Sequence, residues 1–149
     1  MQMHKRVTNI KEANLEVRKS PRGEADWRCL DISGEHLGVR IEELPPGGNS
    51  SYHHYHTAEE EHVLVLEGTA TLHYGKNAIP LKKGDHVSFI AGEEIAHHIE
   101  NSSTEALTYL VFGERKQDDV VIYPENSIAL LKSSQGHRWY NYNEYTPEE

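Results

Sequence analysis

Between residues 27 and 112 the apolar positions fall in short alternating runs, and no window sustains the 3.6-residue period of an amphipathic helix. Leu37, Val39 and Ile41 alternate with Gly38, Arg40 and Glu42, which predicts a half-buried strand ended by Pro45, Pro46, Gly47 and Gly48. Val63 to Leu66 is a short apolar run bounded by Gly68. Ala70, Leu72 and Tyr74 alternate with Thr71 and His73, and Gly75-Lys76-Asn77 supplies a hairpin turn. Ile79 to Leu81 forms another strand, closed by Lys82, Lys83 and Gly84; Val87, Phe89 and Ile95 continue the pattern. Leu107, Tyr109 and Val111 give the last clear alternation. Many short strands separated by Gly-rich turns predict an all-β sandwich or barrel.

The two ends differ from this central part. Residues 1–25 are polar and charged and read as an N-terminal arm. Residues 26–115 read as the β-barrel domain. Residues 116–149 read as a C-terminal extension that packs on the barrel or on a partner subunit; Ile128, Leu130 and Leu131 are its apolar cluster, and Trp139 to Tyr145 is aromatic and polar.

The chain has 149 residues, enough for one domain with a real core. Lys and Arg number 15 against 24 Asp and Glu, a formal charge of −9, which argues against a nucleic-acid partner and against attraction to anionic lipid. No apolar run approaches the ~20 residues of a membrane span, and the first twenty residues lack the apolar core of a secretory signal. Cys29 is the single cysteine, so no internal disulfide forms, and the expected location is cytoplasmic.

Eleven histidines are many for this length, and they cluster at His53, His54, His56 and His62 and again at His86, His97 and His98. Residues two apart on a strand share a face, so His54 and His56 project together. Glu61 follows after four intervening residues, on the same face as Val63 and Val65. His97 supplies a fourth donor; His98 points the other way unless the loop before it shifts the register. Three imidazoles and a carboxylate are what a divalent transition metal requires. His53, His62, His73, His86 and His98 read as surface or structural residues. Glu59 and Glu60 read as a solvated acidic turn, Cys29 as a small buried apolar residue, and Tyr52 and Tyr55 as packing residues near the mouth. Arg40, opposite Val39 and Ile41, leaves a role in binding a substrate anion open.

The pattern G-x5-H-x-H-x4-E-x6-G is met by Gly48, His54, His56, Glu61 and Gly68, and it resembles the first signature of the cupin superfamily. The second signature, G-x5-P-x-G-x2-H-x3-N, is met in order by Gly84, Gly92, His97 and Asn101, with Ile90 in the proline position and two extra residues before His97. The resemblance covers roughly residues 37–112 and implies a double-stranded β-helix, the jelly-roll barrel of cupins. It further implies one divalent metal ion held at the barrel mouth by His54, His56, Glu61 and His97. The family's metals include iron, manganese, nickel, copper and zinc, and three His with one Glu does not choose among them. Two kinds of function follow from the resemblance. One is a small-molecule metalloenzyme, either a dioxygenase or a sugar-phosphate isomerase, lyase or decarboxylase. The other is a metal- or ligand-binding sensor module without catalysis. The resemblance also implies a homodimer and a small-molecule substrate or ligand.

Overall fold

A computed structural model describes residues 6–19 and 26–144. It comprises β1 (Glu16–Arg18), β2 (Trp27–Asp31), β3 (Leu37–Leu44), β4 (Tyr55–His56), β5 (Glu61–Glu67), β6 (Thr69–Tyr74) and β7 (Asn77–Lys82). Then follow β8 (His86–Phe89), β9 (His97–Glu100), β10 (Leu107–Glu114), β11 (Val120–Tyr123), β12 (Ile128–Ser133) and β13 (Gly136–Asn141), with one 3-10 turn at Pro124–Asn126. No α-helix occurs among the described residues. The strands form a six-stranded sheet in the order β1-β2-β3-β10-β5-β8, a three-stranded sheet β7-β6-β9 and a four-stranded sheet β13-β12-β11-β4. All pairings are antiparallel, and the architecture is the double-stranded β-helix.

The core lies between the six- and three-stranded sheets. Leu44, Val63, Val65, Leu107, Tyr109 and Val111 come from the first, and Leu72, Leu81 and Ile99 from the second. Register explains which side chains point inward. Val111 pairs with Val63 on one side and with Arg40 on the other, and Tyr109 pairs with Val65 and Glu42. The inward row of β3 is therefore Gly38, Arg40, Glu42 and Leu44, not the apolar row Leu37, Val39 and Ile41 that the alternation pointed to. Leu37 is 56% exposed while Glu42 is buried, because Tyr109 donates a hydrogen bond to Glu42 and Arg40 pairs with it. A satisfied carboxylate can enter an interior that its neighbours make polar.

Turn chemistry follows the sequence closely. Tyr74 pairs with Asn77 around Gly75, whose φ of 58° suits the hairpin turn. Asn101 is fully buried and donates to the carbonyls of Leu44 and Glu105, which ties the end of β9 to the end of β3.

The ends add strands to this frame. Within residues 1–25, β1 extends the large sheet by pairing with β2, and residues 1–5 and 20–25 lie outside the described residues. Within residues 116–149, β11 pairs with the two-residue β4 through Val121 and His56, and residues 145–149 lie outside the described residues.

Candidate metal centre

His54 and His97 face each other as a bridge between two chain segments, each donating its backbone N–H to the other's carbonyl at 3.2 and 2.8 Å. His56 sits on β4, and Glu61 opens β5 at the end of the interior row continued by Val63 and Val65. Donor atoms of His54, His56 and Glu61 all lie within 4.8 Å of one another. The fourth residue closes on the same carboxylate: His97 Nε2 is 3.9 Å from Glu61 Oε1, and His56 Nε2 is 3.9 Å from Glu61 Oε2. Those separations are too long for hydrogen bonds. Two donors each about 2.1 Å from a shared ion stand no more than about 4.2 Å apart, so the spacing admits one.

The other ring nitrogens are already engaged. His54 Nδ1 lies 2.8 Å from the Tyr52 carbonyl, and His56 Nδ1 lies 2.7 Å from Asp119 Oδ2. His97 Nδ1 faces the Ile95 carbonyl at 3.5 Å, and its ring stacks on Phe89 with centroids 3.5 Å apart. An acceptor at Nδ1 fixes the proton there and leaves Nε2 with its lone pair free. His97 Nε2 is buried with no hydrogen-bond partner. A buried polar atom left unsatisfied costs free energy unless something binds it. The residues present therefore fit a metal ion.

Charge supports the same arrangement. Burial pushes the pKa of His54 down to about 4, and the neighbouring His97 and His56 add to the shift, so the ring is neutral at pH 7. Burial works against the charged form of Glu61, but His97 and the other imidazoles outweigh it and hold the carboxyl at about 2. The site thus offers an anionic carboxylate among imidazoles.

His98 lies on the opposite face of β9 from His97. It meets His53 Nδ1 to Nδ1 at 2.9 Å and stacks on His73, which in turn bonds Glu100. His62 lies 2.8 Å from His86 and 2.6 Å from Glu60.

Two functional residues escaped the sequence reading. Asp119, fully buried, accepts the backbone N–H groups of Ala58 and Glu59 with Oδ1 while its Oδ2 faces His56. These bonds and the nearby Lys132 outweigh burial and hold its carboxyl well below the usual range. Lys132 Nζ lies 2.7 Å from Glu59 and 3.3 Å from Asp119. Glu59 is therefore not part of a solvated turn. It is buried and bonded to Lys132 and to the backbone of Lys116, because the C-terminal sheet covers it. His56, Glu59 and Asp119 also form a donor cluster, but Lys132 already pairs with both of its carboxylates. The only signal in the sequence was Asp119 preceding the apolar pair Val120-Val121, and nothing there reveals that β11 returns to β4.

The four residues open onto a pocket of about 290 Å³ that is also lined by Arg40, Glu42, Phe89, Tyr109, Tyr123 and Lys132. Burial raises the pKa of the Tyr123 phenol, whose ring lies against His54. Tyr52 and Tyr55 are not among the residues lining this pocket.

The fold is a barrel of cupin type, with a histidine and carboxylate group that could hold a metal ion. Residues 40–113 match the family model of the cupin domain, and this part of the chain is a cupin-type domain. Among solved structures, it is similar to a putative sugar phosphate isomerase from Acidithiobacillus ferrooxidans, at 27% identity over 97% of each chain with a TM-score of 0.86. It is also similar to a sugar phosphate isomerase of the cupin superfamily from Silicibacter pomeroyi, at 25% identity over 82% of this chain and 80% of that one, TM-score 0.76. A predicted oxalate decarboxylase from Thermotoga maritima shares the fold at 23% identity over 74% of this chain and 99% of that one, TM-score 0.65. No curated protein sequence matches the chain. No helix among the described residues is long and apolar enough to cross a membrane.

Proposed function

We propose that the protein binds one divalent metal ion through His54, His56, Glu61 and His97 and acts as a metal-dependent isomerase or lyase on a small carbonyl compound. The observation that carries this reading is the set of engaged Nδ1 atoms around the buried, partnerless Nε2 of His97. The likeness to two proteins named sugar phosphate isomerase, one across 97% of the chain, favours sugar phosphates as the substrate class. A bound ion supplies Lewis acidity that polarises a carbonyl or carboxylate oxygen. Zinc, iron, manganese and nickel all suit this donor set.

The chain's own groups do the rest. The Nδ1 partners hold the imidazoles in one orientation, so little reorganisation accompanies binding. Phe89, Val63 and Val111 line the inner side of the pocket with apolar surface and exclude water there. Tyr123 keeps its phenolic proton at neutral pH and is available as a donor beside the substrate.

A dioxygenase would use the same four ligands, and a sensor module would use them without turnover. The same reading includes a cytoplasmic homodimer with no nucleic-acid or membrane partner.

Elemental analysis of protein purified without chelators, beside a His56→Ala variant, tests the site. About one equivalent of metal in the parent and its loss in the variant are expected. Incubation of the metal-loaded protein with aldose and ketose phosphates, followed by NMR, tests the reaction. Binding without interconversion would favour the sensor, and oxygen consumption with iron the dioxygenase.

A further inference from the structure

The inward row of β3 carries a cation that the proposed metal chemistry does not use. Arg40 lines the pocket with its side chain 44% exposed, and its Nε donates to Glu42 Oε1 at 3.0 Å. The terminal amino groups of this guanidinium have no acceptor among the described residues. Glu42 is held from its other oxygen by Tyr109, so the guanidinium is braced through one edge. A braced guanidinium with free terminal N–H groups presents a planar fork, which matches the two oxygens of a phosphate or carboxylate.

The two facing inward positions next to Arg40 are both glycine. Gly113 pairs with Gly38, and in the inward row Gly38 lies two residues before Arg40. Neither residue places a side chain there. A Cβ on Gly113 would lie 2.5 Å from the Glu60 carbonyl oxygen, so that position excludes one.

The acidic side chains lining the pocket would oppose an anion if they were free, but nearly all have partners. Glu42 takes Arg40, Glu59 takes Lys132, Glu60 takes His62 and Glu114 takes Lys116. Glu61 is left, and it is the carboxylate that a divalent ion would neutralise. A divalent ion carries one charge more than Glu61 cancels, and Arg40 lines the same pocket, so an oxyanion there would meet two cationic centres. The pocket is built to hold an oxyanion with one end of the ligand on Arg40 and the other towards the imidazoles.

We propose that Arg40 is the anion-binding residue of this pocket, and that the ligand carries a phosphate or carboxylate which the guanidinium fork grips. This deepens the metalloenzyme reading and rests on it for the identity of the site, but the two fail separately.

The experiment measures inorganic phosphate, and separately acetate, binding by calorimetry to the protein as purified and after metal loading. Arg40→Met, Arg40→Lys and Glu42→Gln are compared with the parent, with metal content and thermal unfolding recorded on the same samples. Loss of charge-assisted hydrogen bonds should weaken phosphate binding roughly 10- to 100-fold in Arg40→Met. Arg40→Lys keeps a charge beside Glu42 without the fork and should bind with intermediate affinity. Glu42→Gln keeps an acceptor for Arg40 Nε but weakens the brace, so phosphate binding should fall by less than in Arg40→Met. A tighter ligand in phosphate than in acetate identifies the phosphate source, and the reverse identifies the carboxylate. Unchanged phosphate affinity in Arg40→Met, or no binding of either anion to the parent, overturns the proposal whatever the metal content. A parent that holds no metal but binds phosphate in an Arg40-dependent way overturns the metalloenzyme reading and leaves this one standing.

Discussion

His56 Nδ1 and Asp119 Oδ2 lie 2.7 Å apart although 63 positions separate them in the chain. The carboxylate is fully buried, is fastened by two backbone N–H groups, and meets the ring on the side away from Glu61. It fixes the ring's tautomer and aims Nε2 into the site.

Asp119→Ala should therefore weaken metal binding about 10- to 100-fold, which is the usual effect of removing an outer carboxylate from a ligating histidine. Competition with a chromophoric chelator measures this without any assay of turnover. The variant also strips an acceptor from buried N–H groups, so a lower unfolding midpoint is expected. Asp119→Asn keeps those acceptors and separates the two effects. Undiminished affinity in both variants would sink the positioning role.

Gly113 and Gly38 face each other across β10 and β3, yet they should respond differently to a methyl group. On Gly113 the added Cβ meets the Glu60 carbonyl oxygen at 2.5 Å and Glu61 Cα at 3.1 Å, both backbone. Gly113→Ala should cost about 1–3 kcal/mol and loosen the metal site by moving Glu61. On Gly38 the nearest atom belongs to the flexible Arg115 side chain at 3.5 Å, an ordinary contact, so Gly38→Ala should change stability by less than about 1 kcal/mol. Urea unfolding of the two variants decides it, and equal destabilisation would contradict the close approach.

The metal-free protein should lose stability on mild acidification. The folded pKa of His54, about 4, lies below the ~6.5 of an unfolded histidine. Between those values the unfolded chain binds a proton on this ring and the folded chain does not. Stability therefore rises with pH across that window, and the loss is complete near pH 4, amounting to at most about 3 kcal/mol from this group. Glu61, depressed to about 2, contributes a second loss below the ~4.3 of an unfolded glutamate. Denaturant midpoints of chelator-treated protein at pH 7.5, 6 and 5 check the sign. A midpoint that is flat or rises on acidification would contradict it.

Cys29 should resist thiol reagents in the native state. It is 3% exposed, and burial with the nearby Glu42 raises its pKa above the ordinary thiol value. The reactive thiolate is thus scarce at pH 8. Slow reaction of native protein with a disulfide reagent, and prompt titration of one thiol in denaturant, are the expected pair of results. Rapid native labelling would mean the burial is wrong.

Much of the barrel could be read from alternation and turn residues. Val63, Val65, Leu107, Tyr109 and Val111 point inward as their spacing requires, and Gly75 and Gly84 sit in turns with positive φ. The phase of β3 could not be read, since Glu42 enters the interior through partners on β10 that are distant in sequence. The spacing of His54, His56 and Glu61 is local, so the sequence placed them on neighbouring elements and the fold brings them together. His97 joins them through a bridge to His54 across 43 residues, which the sequence suggested by motif and not by spacing. Asp119, just before β11, and Lys132, on β12, act by long-range tertiary contact, and such contacts leave no period to detect.

The two-residue strand β4 is held to β11 by pairing of His56 with Val121 and Tyr55 with Ile122. Whatever seizes His56 therefore also clamps the C-terminal sheet, and whatever frays that sheet slackens the grip on His56. By reciprocity, metal occupancy and amide protection of β11 and β12 should rise and fall together. The C-terminal sheet is then a latch whose state can be followed by hydrogen exchange, so a protease that trims this region would release the ion without touching a ligand.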